Sequence, residues 1–195
     1  MKATDETNDL KDAVNFFFEL GMLRKTEHQG LRLIGVDNPG SVAAHSLRAA
    51  QIGYVLAKME GHDNPQEVCS LIVFHDIGEC RVGDINKVNA RYVKADEERA
   101  VDEQLSKIGS VGDEIKDMWL QVEKRSTAAG NIAKDADYVE QAVLAKEYVE
   151  RGYEYAQDWI DNCKKVVKTK SALKLLEEID KANSNEWWQG LKKIE

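Results

Sequence analysis

The sequence predicts an all-α, single-domain helical bundle, and three observations predict it. Apolar residues recur at spacings of three and four almost throughout, no stretch alternates persuasively as a half-buried strand would, and only two prolines interrupt 195 residues. That length sets one domain as the expectation for residues 1–195, and 43% hydrophobic content is enough to enclose a core.

The elements follow in order. Leu10, Val14, Phe17, Phe18 and Leu20 predict a first helix, capped by Thr7 or Asn8 and ending near Gly21. Residues 26–40 read as irregular, closed by an Asn38-Pro39-Gly40 turn. Ser41 is a natural N-cap for a second helix reaching about Met59 and stopped by Gly61. Asn64, Pro65 and Glu67 then mark a third start, with Asn as cap, proline at the first helical position and glutamate at the third. This helix is expected to run toward Gly78. Residues 85–94 show no period and read as a loop. Asp96 caps a charged helix over residues 97–108, whose acidic and basic residues read as a solvated face. Ser110-Val111-Gly112 is expected to break the chain before a helix from Asp113 to about Arg125, and a long helix follows from Ser126. Two more helices are expected over residues 153–167 and 171–191, the second with a Leu173, Leu176, Ile179 core stripe. Trp187-Trp188 should pack back on the body or supply a subunit contact, because exposed tryptophans are costly unless covered.

Two of these helices carry histidines on their apolar stripes. His75 follows Val68, Leu71 and Ile72, and His45 heads the stripe Ala49, Ile52, Leu56, Met59. A lone histidine on such a face is ordinarily a core group bonded to a carbonyl. Asp76 beside His75 changes the reading, since an anion is rarely buried unpaired, and His45, His75 and Asp76 form a candidate metal triad. Glu79 and Asp84 add two carboxylates just downstream, which could equally cap or pair at a helix end. Asp135 and Asp137 lie inside the long helix, where an aspartate usually faces water. Asp137 has Ala133, Gln141, Leu144 and Tyr148 as face neighbours, a stripe mixed enough for it to point inward at one polar spot.

Composition excludes other classes. A net charge of −8 offers no cationic surplus for coating a nucleic-acid polymer. Three cysteines, Cys69, Cys80 and Cys163, form no close pair, which fits a reducing compartment and neither a disulfide framework nor a zinc knuckle. The polar start, Met1 to Glu6, has no apolar segment of signal or membrane-spanning length, so the expected location is cytoplasmic.

The set His45, His75-Asp76 and Asp137, read as H…HD…D, resembles the metal motif of the HD-domain phosphohydrolase superfamily. Ser41-Val42-Ala43-Ala44-His45-Ser46, then His75-Asp76-Ile77-Gly78-Glu79 with Val82-Gly83-Asp84-Ile85, then Lys134-Asp135-Ala136-Asp137, resembles more narrowly its 5'-deoxynucleotidase branch. The likeness spans roughly residues 16–148. It implies a helical HD domain with a metal-site core over about residues 10–150 and C-terminal helices over about 153–191. It also implies one divalent ion (Mn, Co, Fe, Ni or Zn) held by His45, His75, Asp76 and Asp137. Glu79 would be catalytic and Asp84 would share the active site. The partners implied are a small phosphorylated nucleotide and a second copy in a homodimer, with no membrane. The expected function is metal-dependent release of phosphate from a 5'-nucleotide, a deoxynucleoside monophosphate above all. The alternatives are another nucleotide or a phosphorylated metabolite as substrate, or a non-catalytic helical binding protein.

The substrate side departs from the pattern. Where the branch usually offers an arginine and a tryptophan, the stretch reads His28-Gln29-Gly30-Leu31-Arg32, and two acidic positions of the branch are Ala44 and Ala129. Arg48, one turn after His45, is a candidate phosphate contact or the partner of a local carboxylate. His28 and Arg32 are candidate substitutes for the missing pair, while Lys87 and Arg91 read as solvated loop residues.

Overall fold

The computed structural model describes residues 3–191, the first six of them by backbone alone. Met1 and Lys2 of the polar start lie outside them. Among the described residues the α-helices are α1 (Ala3–Leu20), α2 (Val42–Met59), α3 (Pro65–Val73), α4 (Glu79–Val82), α5 (Glu97–Leu105), α6 (Gly109–Glu123), α7 (Ala128–Val149), α8 (Gln157–Val166) and α9 (Lys170–Lys181). No strand forms among them; one isolated antiparallel bridge joins Glu27 to Ser41. None of the described helices is long and apolar enough to cross a membrane.

α7 is the spine. It packs against α2, α3, α6, α8 and α9, and α2 also packs along α3. Fully buried Leu56, Leu71, Ile72, Ile160 and Leu176 fill the space between these helices. Burying a side chain of this size contributes about 1.5–3 kcal/mol, so this cluster outweighs any local helix preference. A smaller cluster of Phe16, Ile77, Val101, Leu105, Ile115 and Trp119 joins α1, α5 and α6 to the turn after α3.

The caps anticipated at Ser41, Asn64 and Asp96 form: each side chain accepts a hydrogen bond from the amide three residues on. Other expectations are corrected. α1 starts at Ala3, so Thr7 and Asn8 lie inside it, and a 3-10 turn, Gly21–Arg24, continues past its end. A second 3-10 turn, Gln29–Ile34, organises part of the irregular stretch. α3 stops at Val73, and His75 lies in the turn beyond it. α5 is not a purely solvated helix, because Ala100, Val101, Gln104 and Leu105 are buried.

Ser110-Val111-Gly112 does not break the chain but lies within α6. A Cβ on Gly112 would come within 2.3 Å of the Leu105 carbonyl oxygen, so this glycine permits a close crossing. Met59 and Leu173 are exposed at the ends of otherwise apolar stripes. α9 ends at Lys181, and Trp187 and Trp188 follow in a short 3-10 turn with 76% and 38% of their surface exposed. They do not pack back into the core.

Candidate metal centre

Three segments bring the predicted donors together. The Ser41 cap starts α2 so that His45 falls in its first turn, facing α7. After α3 the chain turns sharply, and the His75 ring donates through Nδ1 to the Ile72 carbonyl at 2.7 Å. That bond commits one ring nitrogen and leaves Nε2 as the lone-pair site. Nε2 is buried without a hydrogen-bond partner. In the same way, His45 Nδ1 is held by Glu140 Oε2, which leaves its Nε2 free to act as a donor.

His45 Nε2 lies 3.2 Å from Asp137 Oδ1 and 3.8 Å from Asp76 Oδ2, while His75 Nε2 lies 3.1 Å from Asp76 Oδ2 and 3.9 Å from Asp137 Oδ1. Nitrogen and oxygen donors about 2.0–2.2 Å from one ion stand at such separations from each other. His45, His75 and Asp137 are all buried and form a group that could hold a metal ion; Asp76 is partly exposed. The orphaned His75 Nε2 and the mixed imidazole–carboxylate set fit a divalent cation.

The electrostatics suit a cation. Burial opposes ionisation of Asp137, but Lys134 and both histidines hold its carboxyl well below the usual range. Burial also disfavours charge on His45, yet Asp137 and Glu140 push its pKa well up. His75 is likewise raised against burial, chiefly by Asp76. A metal ion therefore has to displace protons that these carboxylates favour, which makes binding weaken in acid.

An HD domain model matches residues 20–179. The chain belongs to the HD domain family. The 5'-deoxynucleotidase HDDC2 of Dictyostelium discoideum is 31% identical over 149 residues, covering 71% of this chain and 78% of that protein. Its Homo sapiens counterpart is 26% identical over 151 residues, covering 75% and 72%. A crystal structure from a genomics target superposes with a TM-score of 0.76 at 30% identity, covering 91% of this chain and 99% of its own.

Of the other predicted residues, Glu79 and His28 lie beside this cluster. Glu79 opens α4; its Oε2 is buried without a hydrogen-bond partner, and burial, reinforced by Asp76, Asp84 and Glu97, pushes its carboxyl up to about 10. Asp84 Oδ2 accepts a hydrogen bond from the Gln29 amide at 2.7 Å, tying the segment after α4 to the loop before α2. His28, next to that amide, stacks on His45 with ring centroids 4.7 Å apart. Its pKa is lowered, by burial first and then by His45.

His28, Ser41, Ala44, Arg48, Glu140 and Leu144 line a cavity of about 300 Å³ beside His45. Arg48 turns toward Glu140 and Glu147. Arg32 is exposed and bonded to Glu27 at 2.5 Å and to the Asp37 carbonyl at 3.1 Å; neither it nor buried Leu31 lines the cavity. Ala129 is buried in the first turn of α7. Lys87 and Arg91 are exposed.

Sequence reasoning missed three side chains at this centre. Glu140 holds His45 and is itself held by Arg48. Lys134 Nζ lies 3.3 Å from Asp137 Oδ2 and 3.2 Å from Glu123, with its pKa raised by Asp137 and Glu123 despite burial. Glu97 packs against Gly78 and is pushed up to about 7 by burial and then by Glu123 and Asp76. The available signal was spacing: Asp137 and Glu140, like His45 and Arg48, stand three apart on one helical face.

Proposed function

We propose that this HD domain is a metal-dependent phosphohydrolase that releases phosphate from 5'-nucleotides, with deoxynucleoside monophosphates as its substrate class. The observation that carries the reading is the convergence of His45, His75, Asp76 and Asp137 from three distant segments. In this reading they hold one divalent ion, from among Mn, Co, Fe, Ni and Zn. When bound, such an ion polarises the phosphoryl group and acidifies a water. Glu79, whose carboxyl lies beside this cluster, takes or returns the proton of the attacking water. Asp84 holds the loop carrying His28, and the cavity bordered by His28, Ala44 and Leu144 takes the nucleoside. The names of the curated relatives support the monophosphate reading.

The test is phosphate release from a panel of ribo- and deoxynucleoside monophosphates by the purified protein with added Mn²⁺ or Co²⁺. Deoxynucleotides should turn over, and Glu79→Gln should lower kcat by about 10²–10⁴ while the ion remains bound. No release from any monophosphate by the metal-loaded protein would refute the proposal.

One observation favours a second reading, in which the same centre acts on a different phosphorylated compound. Arg32 is engaged by Glu27 and Asp37, and the loop brings no tryptophan to the cavity. Release of pyrophosphate or tripolyphosphate would select that reading. The proposal includes a cytoplasmic homodimer; exposed Trp187 offers an apolar contact, and sedimentation tests the oligomeric state.

A further inference from the structure

We infer that Glu140 is the positioning residue of the metal centre, aiming His45 through its Nδ1, and that Arg48 fixes Glu140 in place. The inference rests on the metal-centre reading above and assigns a role to side chains outside the donor set.

Glu140 is 2% exposed, and both of its oxygens are engaged. Oε2 meets His45 Nδ1, while Oε1 accepts from Arg48 Nε at 2.8 Å and lies 2.7 Å from Arg48 Nη2. Arg48 Nη1 donates to Glu147 at 2.8 Å, so all three guanidinium nitrogens face carboxylates. The four groups form a line of alternating charge from the imidazole outward. A buried carboxylate is costly unless paired, and an apolar side chain would fill the site at less cost. What the carboxylate adds is a fixed orientation: with Nδ1–H committed to Glu140, Nε2 is the ring nitrogen left to an ion, and it lies 3.2 Å from Asp137 Oδ1.

The two helices make this arrangement by repetition. α2 places Arg48 three residues after His45, α7 places Glu140 three residues after Asp137, and the helices pack together. Each therefore supplies a donor and an outer partner from one face. The imidazoles are held unequally. His75 is aimed by a neutral carbonyl and His45 by an anion, so His45 is the more electron-rich donor and the one whose strength depends on a replaceable side chain.

Cobalt binding to metal-stripped protein tests this, followed by titration calorimetry and the visible Co²⁺ absorption bands. Glu140→Gln should keep the helical circular dichroism and bind Co²⁺ about 10–100-fold more weakly, with shifted bands. A wild-type affinity and spectrum in that variant would overturn the inference. If Glu140→Gln does not fold, Arg48→Gln, which leaves the carboxylate in place, should weaken Co²⁺ binding several-fold; unchanged binding there overturns the inference equally. Failure of the unaltered protein to bind Co²⁺ would instead refute the metal centre itself, and this role with it.

Discussion

At the scale of single residues, burial changes what the acidic side chains do. Glu97 is the clearest case for stability. Its carboxyl is moved from an ordinary 4.5 to about 7, by burial first and then by neighbouring carboxylates. Between those values the folded chain keeps a proton that the unfolded chain has released. Stability from this group is therefore full below 4.5 and lost as pH rises through 7. Urea midpoints of metal-free protein at pH 5 and pH 7.5 should differ more for the wild type than for Glu97→Gln; parallel behaviour would refute it. Such roles were not legible beforehand. His45, His75 and Asp76 stood out because histidines on apolar stripes need partners. Glu140 and Asp135 looked like any helix-interior acids, and what buries them comes from other helices or from residues 33 and 34 positions away.

At the scale of elements, the capping chemistry was legible and the close crossings were not. Ser41, Asn64 and Asp96 announce their helices because the bond they make is local. Gly112 reads as a breaker and Gly130 falls unremarked inside the expected long helix, yet both lie in helices that approach a neighbouring backbone. A Cβ on Gly130 would sit 2.2 Å from the Gln121 carbonyl oxygen, so α6 and α7 meet where only hydrogen fits. Gly130→Ala should destabilise the fold by about 1–3 kcal/mol despite alanine's better helix preference, as read by the denaturation midpoint. A stabilised variant would show that α6 yields without cost. α3 ends early for a related reason: the turn at residues 74–78 bonds the His75 ring to Ile72, and a continued helix would have claimed that carbonyl.

At the scale of the whole molecule, the all-α class and the central role of the long helix follow from periodicity and length, and the donor triad spans α2, the turn after α3 and α7. An ion bound there ties the turn after α3 to α2 and α7. Saturating it at about 1,000 times its Kd should add about 4 kcal/mol of stability. Chelation should accordingly lower Tm, and returning Mn²⁺ or Co²⁺ should restore it. An unchanged Tm would mean that the triad does not join those helices through a cation.

The fully buried Asp135 has a consequence for the chain's far end. It accepts from Arg125 and from the Lys168 and Thr169 amides at 2.9 and 2.6 Å, so the α8–α9 junction is stapled to α7 two residues before Asp137. A protein cut after Glu150 would strand that carboxylate with two of its three donors gone, and would remove Ile160 and Leu176 and so uncover the faces of α7 that α8 and α9 pack against. The stretch after Glu150 is thus no detachable appendage, and a minimal catalytic fragment would have to extend through α9.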